Sequence, residues 1–315
     1  MQFLGIDTSN YTTSAALYDT STNTLMQKKK LLPVKDGEKG LRQSDAVFHH
    51  TVQLPQVVSD LAQDFSGTVD AFGVSVFPRR AEGSYMPCFL VGQSVAQSLS
   101  SVQRRPLHTF SHQEGHIAAA LYSTGKLSLL QEKFIAFHIS GGTTEALLVS
   151  PNSDHILSCE RIACSLDLKA GQLIDRVGVM LGMKFPCGAE LEKLAEKSTG
   201  QYCLKPTMKH LDCCLSGLEN QCRKLFENGE CPENVAHYCM CGVLAALVGM
   251  TDGLLEKYGN LPIVFSGGVA SNAMLKSELS ARYGAYFAAP AFSADNAAGI
   301  AVLTALSEKE SRYDV

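Results

Sequence analysis

Long apolar runs, an excess of basic charge and paired cysteine spacings are all missing from this chain, and each absence removes a class of protein. The first residues, Met1-Gln2-Phe3-Leu4-Gly5-Ile6-Asp7, carry no basic segment ahead of an apolar run, and an acid arrives at once, so export is not expected. No stretch reads as a full bilayer span, and the strongest candidate, residues 243–250, has the length of a buried helix. A net charge of −4 argues against a protein that holds nucleic acid by its overall field. Basic residues gather only at Lys28-Lys29-Lys30, Arg79-Arg80 and Arg104-Arg105, which read as solvated loops or strand ends. The eleven cysteines are scattered through the sequence and predict reduced thiols. Cys213-Cys214 and Cys239-Met240-Cys241 lack the spacing of a zinc ribbon and read as small core residues. Together these features predict a cytoplasmic protein without a membrane segment.

What is present fits a two-domain enzyme. The chain has 315 residues, 45% hydrophobic and 18% charged, enough for two ordinary domains with buried cores. An internal repeat carries most information: residues 3–17 lie without gaps over residues 134–148, sharing Phe, Ser, Thr-Thr, Ala and Leu positions. Each copy reads as apolar strand, polar turn, apolar strand. Between them, 44–63 has helical spacing (Val47, Leu54, Val58, Leu61), 71–77 is β-rich, and 85–98 is helical again. The second half holds helices at 189–197 and 233–257, a strand at 261–265, and a final helix over 295–307 opening on the acid Asp295. The pattern predicts a duplicated α/β architecture, domains 1–130 and 131–315, packed around a ligand-binding cleft.

Three motifs carry chemistry. His112-Gln113-Glu114-Gly115-His116 puts two imidazoles on one face of a helical turn, where both can reach a single metal ion; surface or capping residues are the other reading of that spacing. Glu114 does not directly follow the first histidine, so the general base of a zinc protease is misplaced and that activity is rejected. Asp295 is the candidate third ligand, and a carboxylate completing two histidines suits iron(II) or zinc; otherwise it is a helix cap. Ser140-Gly141-Gly142-Thr143-Thr144 and Ser266-Gly267-Gly268-Val269-Ala270-Ser271-Asn272 are glycine-rich turns after apolar strands, where backbone amides can cradle a phosphate. Neither is a Walker motif nor a dinucleotide fingerprint, but with the turn at 7–13 they predict a nucleotide site.

In this order the motifs resemble the TsaD family of tRNA threonylcarbamoyl transferases, long filed as glycoprotease-like peptidases. The resemblance runs through Gly5-Ile6-Asp7-Thr8-Ser9, His112 to His116, Ser140 to Thr144, Asp175-Arg176 before Met180-Leu181-Gly182, and Phe185-Pro186-Cys187-Gly188. It continues in Ser216-Gly217-Leu218, Gly267 to Asn272, and Asp295-Asn296-Ala297-Ala298. It implies an actin and sugar-kinase-like (ASKHA) fold and transfer of threonylcarbamoyl from threonylcarbamoyl-adenylate to the adenosine next to the anticodon of tRNA. It implies one divalent metal, iron(II) or zinc, on His112, His116 and Asp295. The adenylate would lie on Ser140, Gly141, Gly142, Thr143, Thr144, Asp175, Gly188 and Asn272. TsaB-like and TsaE-like proteins are the implied partners beside tRNA, with no DNA and no membrane.

The sequence departs from the family pattern in several places. Asn10-Tyr11-Thr12-Thr13 stands for Cys-Asp-Glu-Thr, so two acids are absent. Thr143 stands for a histidine, Cys187 for a glycine, Leu168 for an acid and Glu219 for a lysine. These departures leave a second expectation, a divergent paralogue that binds metal and adenine nucleotide as a regulatory partner without this transfer. A sugar or acid kinase ranks below both, because no hydroxyl-activating aspartate can be placed and kinases need no His-x-x-x-His.

Overall fold

The computed structural model describes residues 1–9, 11–33, 41–294 and 296–310. The chain forms two compact units, one of Met1–Gln131, Pro151–Cys159 and the residues from Ala291 onward, the other of Glu132–Ser150 and Glu160–Pro290.

The first unit is built on β1 (Gln2–Ser9), which folds back antiparallel onto β2 (Thr12–Asp19), in register from Gln2 opposite Asp19 to Ser9 opposite Thr12. β3 (Thr24–Leu31) continues the meander, and α1 (Gln43–Ala62) follows. β4 (Ala71–Phe77) joins parallel to β1, α2 (Phe89–Gln103) crosses over, and β5 (Leu107–Ser111) adds parallel to β4 before α3 (His112–Ser123). The sheet order is β3-β2-β1-β4-β5. α2 begins four residues later than the apolar pattern at 85–98 suggests, because Pro87 disfavours helical backbone in the residue before it.

The second unit repeats this plan. β6 (Phe134–Ile139), β7 (Thr144–Asn152) and β8 (Ile156–Cys164) form its meander. Next come α4 (Ala170–Met180), α5 (Gly188–Ala195), the small ribbon β9 (Thr207–Lys209) and β10 (Asp212–Cys214), α6 (Ser216–Glu227) and α7 (Pro232–Tyr258). β11 (Ile263–Ser266), α8 (Ala273–Tyr283), β12 (Tyr286–Phe287), α9 (Pro290–Ser293) and α10 (Ala298–Glu310) complete the chain. The sheet order is β12-β11-β6-β7-β8, with β11 parallel to both β6 and β12. Read from β8 it is the first sheet again: meander, first strand, then two parallel strands. The repeat seen in the sequence is therefore a repeat of whole sheets.

β1 is buried along nearly its whole length because both faces of its sheet are covered. Leu4 and Ile6 point to one face, packing with Leu54, Val57 and Leu61 of α1 and Ala96 of α2. Phe3 points to the other, with Ala119 of α3 and Ala301, Val302 and Ala305 of α10. The last helix of the chain thus covers the first sheet. It approaches α3 closely enough that a Cβ at Gly299 would collide with the backbone of Gly115 and Ala119. It starts at Ala298, later than the sequence suggests, and Asn296 Oδ1 accepts the Ala298 amide at 3.0 Å. Asp295 lies outside the described residues.

In the second unit, Ile135, Phe137 and Ile139 of β6 meet Leu173 and Val177 of α4 and Val243 and Leu247 of α7. The rings of Phe137, Phe265 and Phe287 stack in sequence across β6, β11 and β12, with centroids 4.6 and 4.9 Å apart. α7 is 27 residues long, and an 18-residue stretch of mean hydropathy 1.6 makes it long and apolar enough to cross a bilayer by those measures. The apolar run at 243–250 understates it. Half of that stretch is buried in the fold, as expected of a unit's central helix.

Candidate functional site

Two groups of side chains stand out, one in each unit. The first is set by how α3 begins. Ser111, the last residue of β5, caps the helix by accepting the Glu114 amide at 3.1 Å, and the Glu114 carboxylate accepts the Ser111 amide in return. This capping box places His112 as the first helical residue and His116 one turn later, with ring centroids 4.3 Å apart. Both histidines stay partly accessible while Gly115, Ala118 and Ala119 between and beyond them are buried. Asp7 of β1 has no exposed surface, and its Oδ1 lies 2.9 Å from His112 Nδ1. The Ser75 hydroxyl of β4 donates to the same oxygen.

The donor set is two imidazoles on one helical face, one of them backed by a buried carboxylate. That chemistry fits a first-row transition metal or zinc. Among the described residues no three His, Cys, Asp or Glu side chains converge as a metal group. Asp295, the expected third ligand, is not among them.

The second group surrounds the Ser-Gly-Gly turn between β6 and β7. Ser140 and Thr143 close the turn through the Ser140 amide to the Thr143 carbonyl at 2.7 Å and the Thr143 amide to Ser140 Oγ at 3.2 Å. Thr144 is buried, and its hydroxyl accepts the Ala170 amide at 2.8 Å, tying the turn to the start of α4. Gly171 lies so close to the turn that a Cβ there would sit 2.6 Å from Gly141 Cα. The turn and the α4 N-terminus therefore act as one element.

Around them opens a pocket of about 280 Å³ within the second unit, lined by Gly141, Asp175, Gly188, Glu192, Gly268 and Asn272 among others. Asp175 Oδ1 accepts the Cys187 amide at 2.8 Å, which holds the loop before α5. Asn272 caps α8 by accepting the Leu275 amide at 3.0 Å, and Glu192 Oε1 accepts the Ala273 amide at 2.6 Å. Of the sequence candidates, Gly141, Asp175, Gly188 and Asn272 line this pocket. Ser140, Gly142, Thr143 and Thr144 are not part of its lining, and Ser140, Thr143 and Thr144 make the hydrogen bonds that shape the turn beside it. Glu192 escaped the sequence reading. Its signal was position, four residues after Gly188 on α5 and so on the same helical face. A neighbouring pocket of about 300 Å³ shares Glu192, Met240 and Asn272 with it.

Among the described residues, several departures from the family pattern sit in ordinary structural surroundings. The Cys187 side chain is buried against Gly178, and burial pushes its thiol above the usual range. Leu168 joins the core, and Glu219 accepts from Arg176 at 3.0 Å and Arg223 at 3.3 Å. Tyr11 is 42% exposed, whereas Thr12 is 4% exposed and packs inward.

The duplicated sheets define an α/β protein of the actin and sugar-kinase type. T. kodakarensis HypF superposes with a TM-score of 0.63 at 11% identity, over 99% of this chain and 48% of that one. A ROK family glucokinase from Streptomyces griseus, in complex with glucose and AMPPNP, superposes with a TM-score of 0.51 at 10% identity, covering 97% of this chain and all of the kinase. The chain belongs to the TsaD family, tRNA N6-adenosine threonylcarbamoyltransferase, whose family model matches residues 34–302. The tRNA N6-adenosine threonylcarbamoyltransferase of Francisella philomiragia is 29% identical over all of this chain and 96% of its own length.

Proposed function

We propose that the chain transfers a threonylcarbamoyl group from threonylcarbamoyl-adenylate to the N6 amine of the adenosine next to the anticodon of tRNA. One observation carries this reading: Gly141, Asp175, Gly188 and Asn272, which the family resemblance assigns to the adenylate, line one pocket in the second unit. The glycines leave room for a phosphate to approach the backbone: a Cβ at Gly141, Gly188 or Gly268 would meet no atom within 4 Å beyond its chain neighbours and own helix. Asp175 and Glu192 are acceptors of the kind that suit ribose hydroxyls.

In the transfer, the adenosine amine attacks the carbamoyl carbon, the bond from that carbon to the phosphate oxygen breaks, AMP leaves, and the amine loses one proton. The Gly141 and Gly142 amides, which take no part in the bonds that close the turn, would stabilise the phosphate as it gains charge. His112, His116 and Asp295 would hold one iron(II) or zinc, which would supply Lewis-acid chemistry. The reading also takes TsaB-like and TsaE-like partner proteins and a cytoplasmic location.

The test is reconstitution with a source of threonylcarbamoyl-adenylate, partner proteins and unmodified tRNA, followed by mass spectrometry of the digested tRNA. Threonylcarbamoyladenosine above the level of an enzyme-free control is the expected product. Its absence, with nucleotide binding intact, overturns the transfer.

A further inference from the structure

The geometry points to Asp7 as the positioning residue of the histidine pair: it locks His112 in the Nδ1–H tautomer and so presents Nε2 to the metal. This rests on the proposal that His112 and His116 bind a metal, and it extends that proposal to a residue outside the ligand set.

Asp7 is wholly buried in β1, 105 residues before His112 in sequence, yet its Oδ1 lies 2.9 Å from His112 Nδ1. An ionised carboxylate can only accept, so in this pair the ring nitrogen is the donor. A neutral imidazole protonated at Nδ1 keeps its lone pair on Nε2, which is the atom left to ligate. The carboxylate is itself anchored, because the Ser75 hydroxyl on the adjacent strand donates to the same Oδ1. Strand pairing fixes both: Gly5 and Ile6 lie opposite Gly73 and Val74 in the parallel β1–β4 ladder, which carries Asp7 and Ser75 one residue beyond. The acceptor is thus built into the centre of the sheet, while the imidazole hangs from the first residue of α3. A carboxylate behind a ligating histidine fixes its ring and raises its basicity, and loss of such a partner costs roughly ten- to hundredfold in metal affinity.

Two measurements on the full chain test this. In metal-free protein with 15N-labelled histidine, at a pH where the ring is neutral, wild-type His112 should be the Nδ1–H tautomer. A dominant Nε2–H tautomer overturns the inference. Zinc alone is then titrated against a competing chelator into wild type, His112→Ala, Asp7→Asn and Ser75→Ala. Asp7→Asn keeps the shape but replaces a charge-assisted bond with a neutral one, and should bind zinc roughly ten- to hundredfold more weakly than wild type. Ser75→Ala, which leaves the carboxylate in place, should lose less. Zinc lost in His112→Ala but held with wild-type affinity by Asp7→Asn overturns this inference alone. Zinc affinity unaffected by His112→Ala overturns the metal reading, and this inference with it. If Asp7→Asn fails to fold, the wild-type tautomer and the Ser75→Ala titration decide.

Discussion

Glu114 faces Arg80 through both carboxylate oxygens, Oε1 to Nε at 3.0 Å and Oε2 to Nη2 at 3.3 Å, while Oε2 also accepts the Ser111 amide. The acid inside the His-x-x-x-His motif is therefore a structural clamp between the loop after β4 and the start of α3. Its position in the sequence excludes it as the base of a zinc protease, and its bonding in the fold gives it other work. Glu114→Ala should lose the charge-assisted bond from the Ser111 amide, about 1.5–3 kcal/mol, and the partly exposed ion pair should add up to about 1 kcal/mol. Glu114→Gln keeps a capping-box acceptor and should lose less. Thermal denaturation of the two variants checks the order, and equal melting of Glu114→Ala and wild type would contradict it.

Metal content follows from the histidine pair. Purified wild type should hold close to one iron or zinc per chain, and the double variant His112→Ala, His116→Ala should hold none. Elemental analysis measures this directly. Full occupancy in the double variant would remove both histidines from the site.

The two glycine turns differ in a way that affects how their variants should behave. A Cβ at Gly142 or at Gly268 meets nothing within 4 Å, so valine at either position should be accommodated by the fold. Gly268 lines the pocket of the second unit and Gly142 does not. Gly268→Val should weaken ATP or AMP by at least about tenfold, since a ligand would have to give up close backbone contact. Gly142→Val should do so to a smaller degree. Calorimetry with circular dichroism separates lost binding from lost folding, and unchanged affinity in both variants would make the turns structural only.

Acid should destabilise the first unit through His50. This ring is fully buried on α1, with Nδ1 2.8 Å from the Thr13 hydroxyl, and burial holds its pKa below the ordinary 6.5. The unfolded chain binds a proton at about 6.5 that the folded ring resists, so the contribution is complete above that pH and is lost as pH falls below it. His50→Gln removes the titrating group. Denaturant melts from pH 8 to pH 5 should show a shallower loss of stability in the variant than in wild type, and parallel curves would refute the assignment.

The strand-turn-strand repeat was legible because alternation and a polar turn are local properties, and the sheets confirm it down to matching strand order. The helices over 44–63 and 233–257 were legible for the same reason, the periodicity lying wholly within each segment. The destination of α10 was not. Its pattern Ala298, Gly299, Ala301, Ala305 announces close packing without saying against which sheet, and only tertiary contact returns it to β1 and α3. Site residues divide along the same line. His112 and His116 share a helical turn and could be paired on sight, whereas Asp7 reaches His112 through a hydrogen bond spanning 105 positions. Glu192 was missed because a carboxylate on an amphipathic helix looks like a solvated one until the pocket beside it is known.

The reaction itself is the last expectation, and burial decides how to test it. If the transfer occurs, Asp295→Ala should abolish threonylcarbamoyladenosine by removing a charged ligand from the proposed metal. The two acids that the family pattern places after Thr-Ser fall here on Tyr11 and Thr12, which the fold treats differently. Tyr11 is 42% exposed, so Tyr11→Asp adds an acid that water can solvate and should leave the fold intact. Thr12 is 4% exposed and sits opposite Ser9 and Leu31 in the two strand ladders, so Thr12→Glu forces a carboxylate into the sheet and should cost several kcal/mol unless it is protonated. Activity restored by Tyr11→Asp alone would mark the native chain as a weakened transferase. A combined variant must be compared at equal folded fraction, measured by near-ultraviolet circular dichroism, before its product is counted. If neither wild type nor Tyr11→Asp forms product while both still bind metal and nucleotide, the transferase assignment fails and the chain acts on another acceptor or serves as a nucleotide-dependent partner.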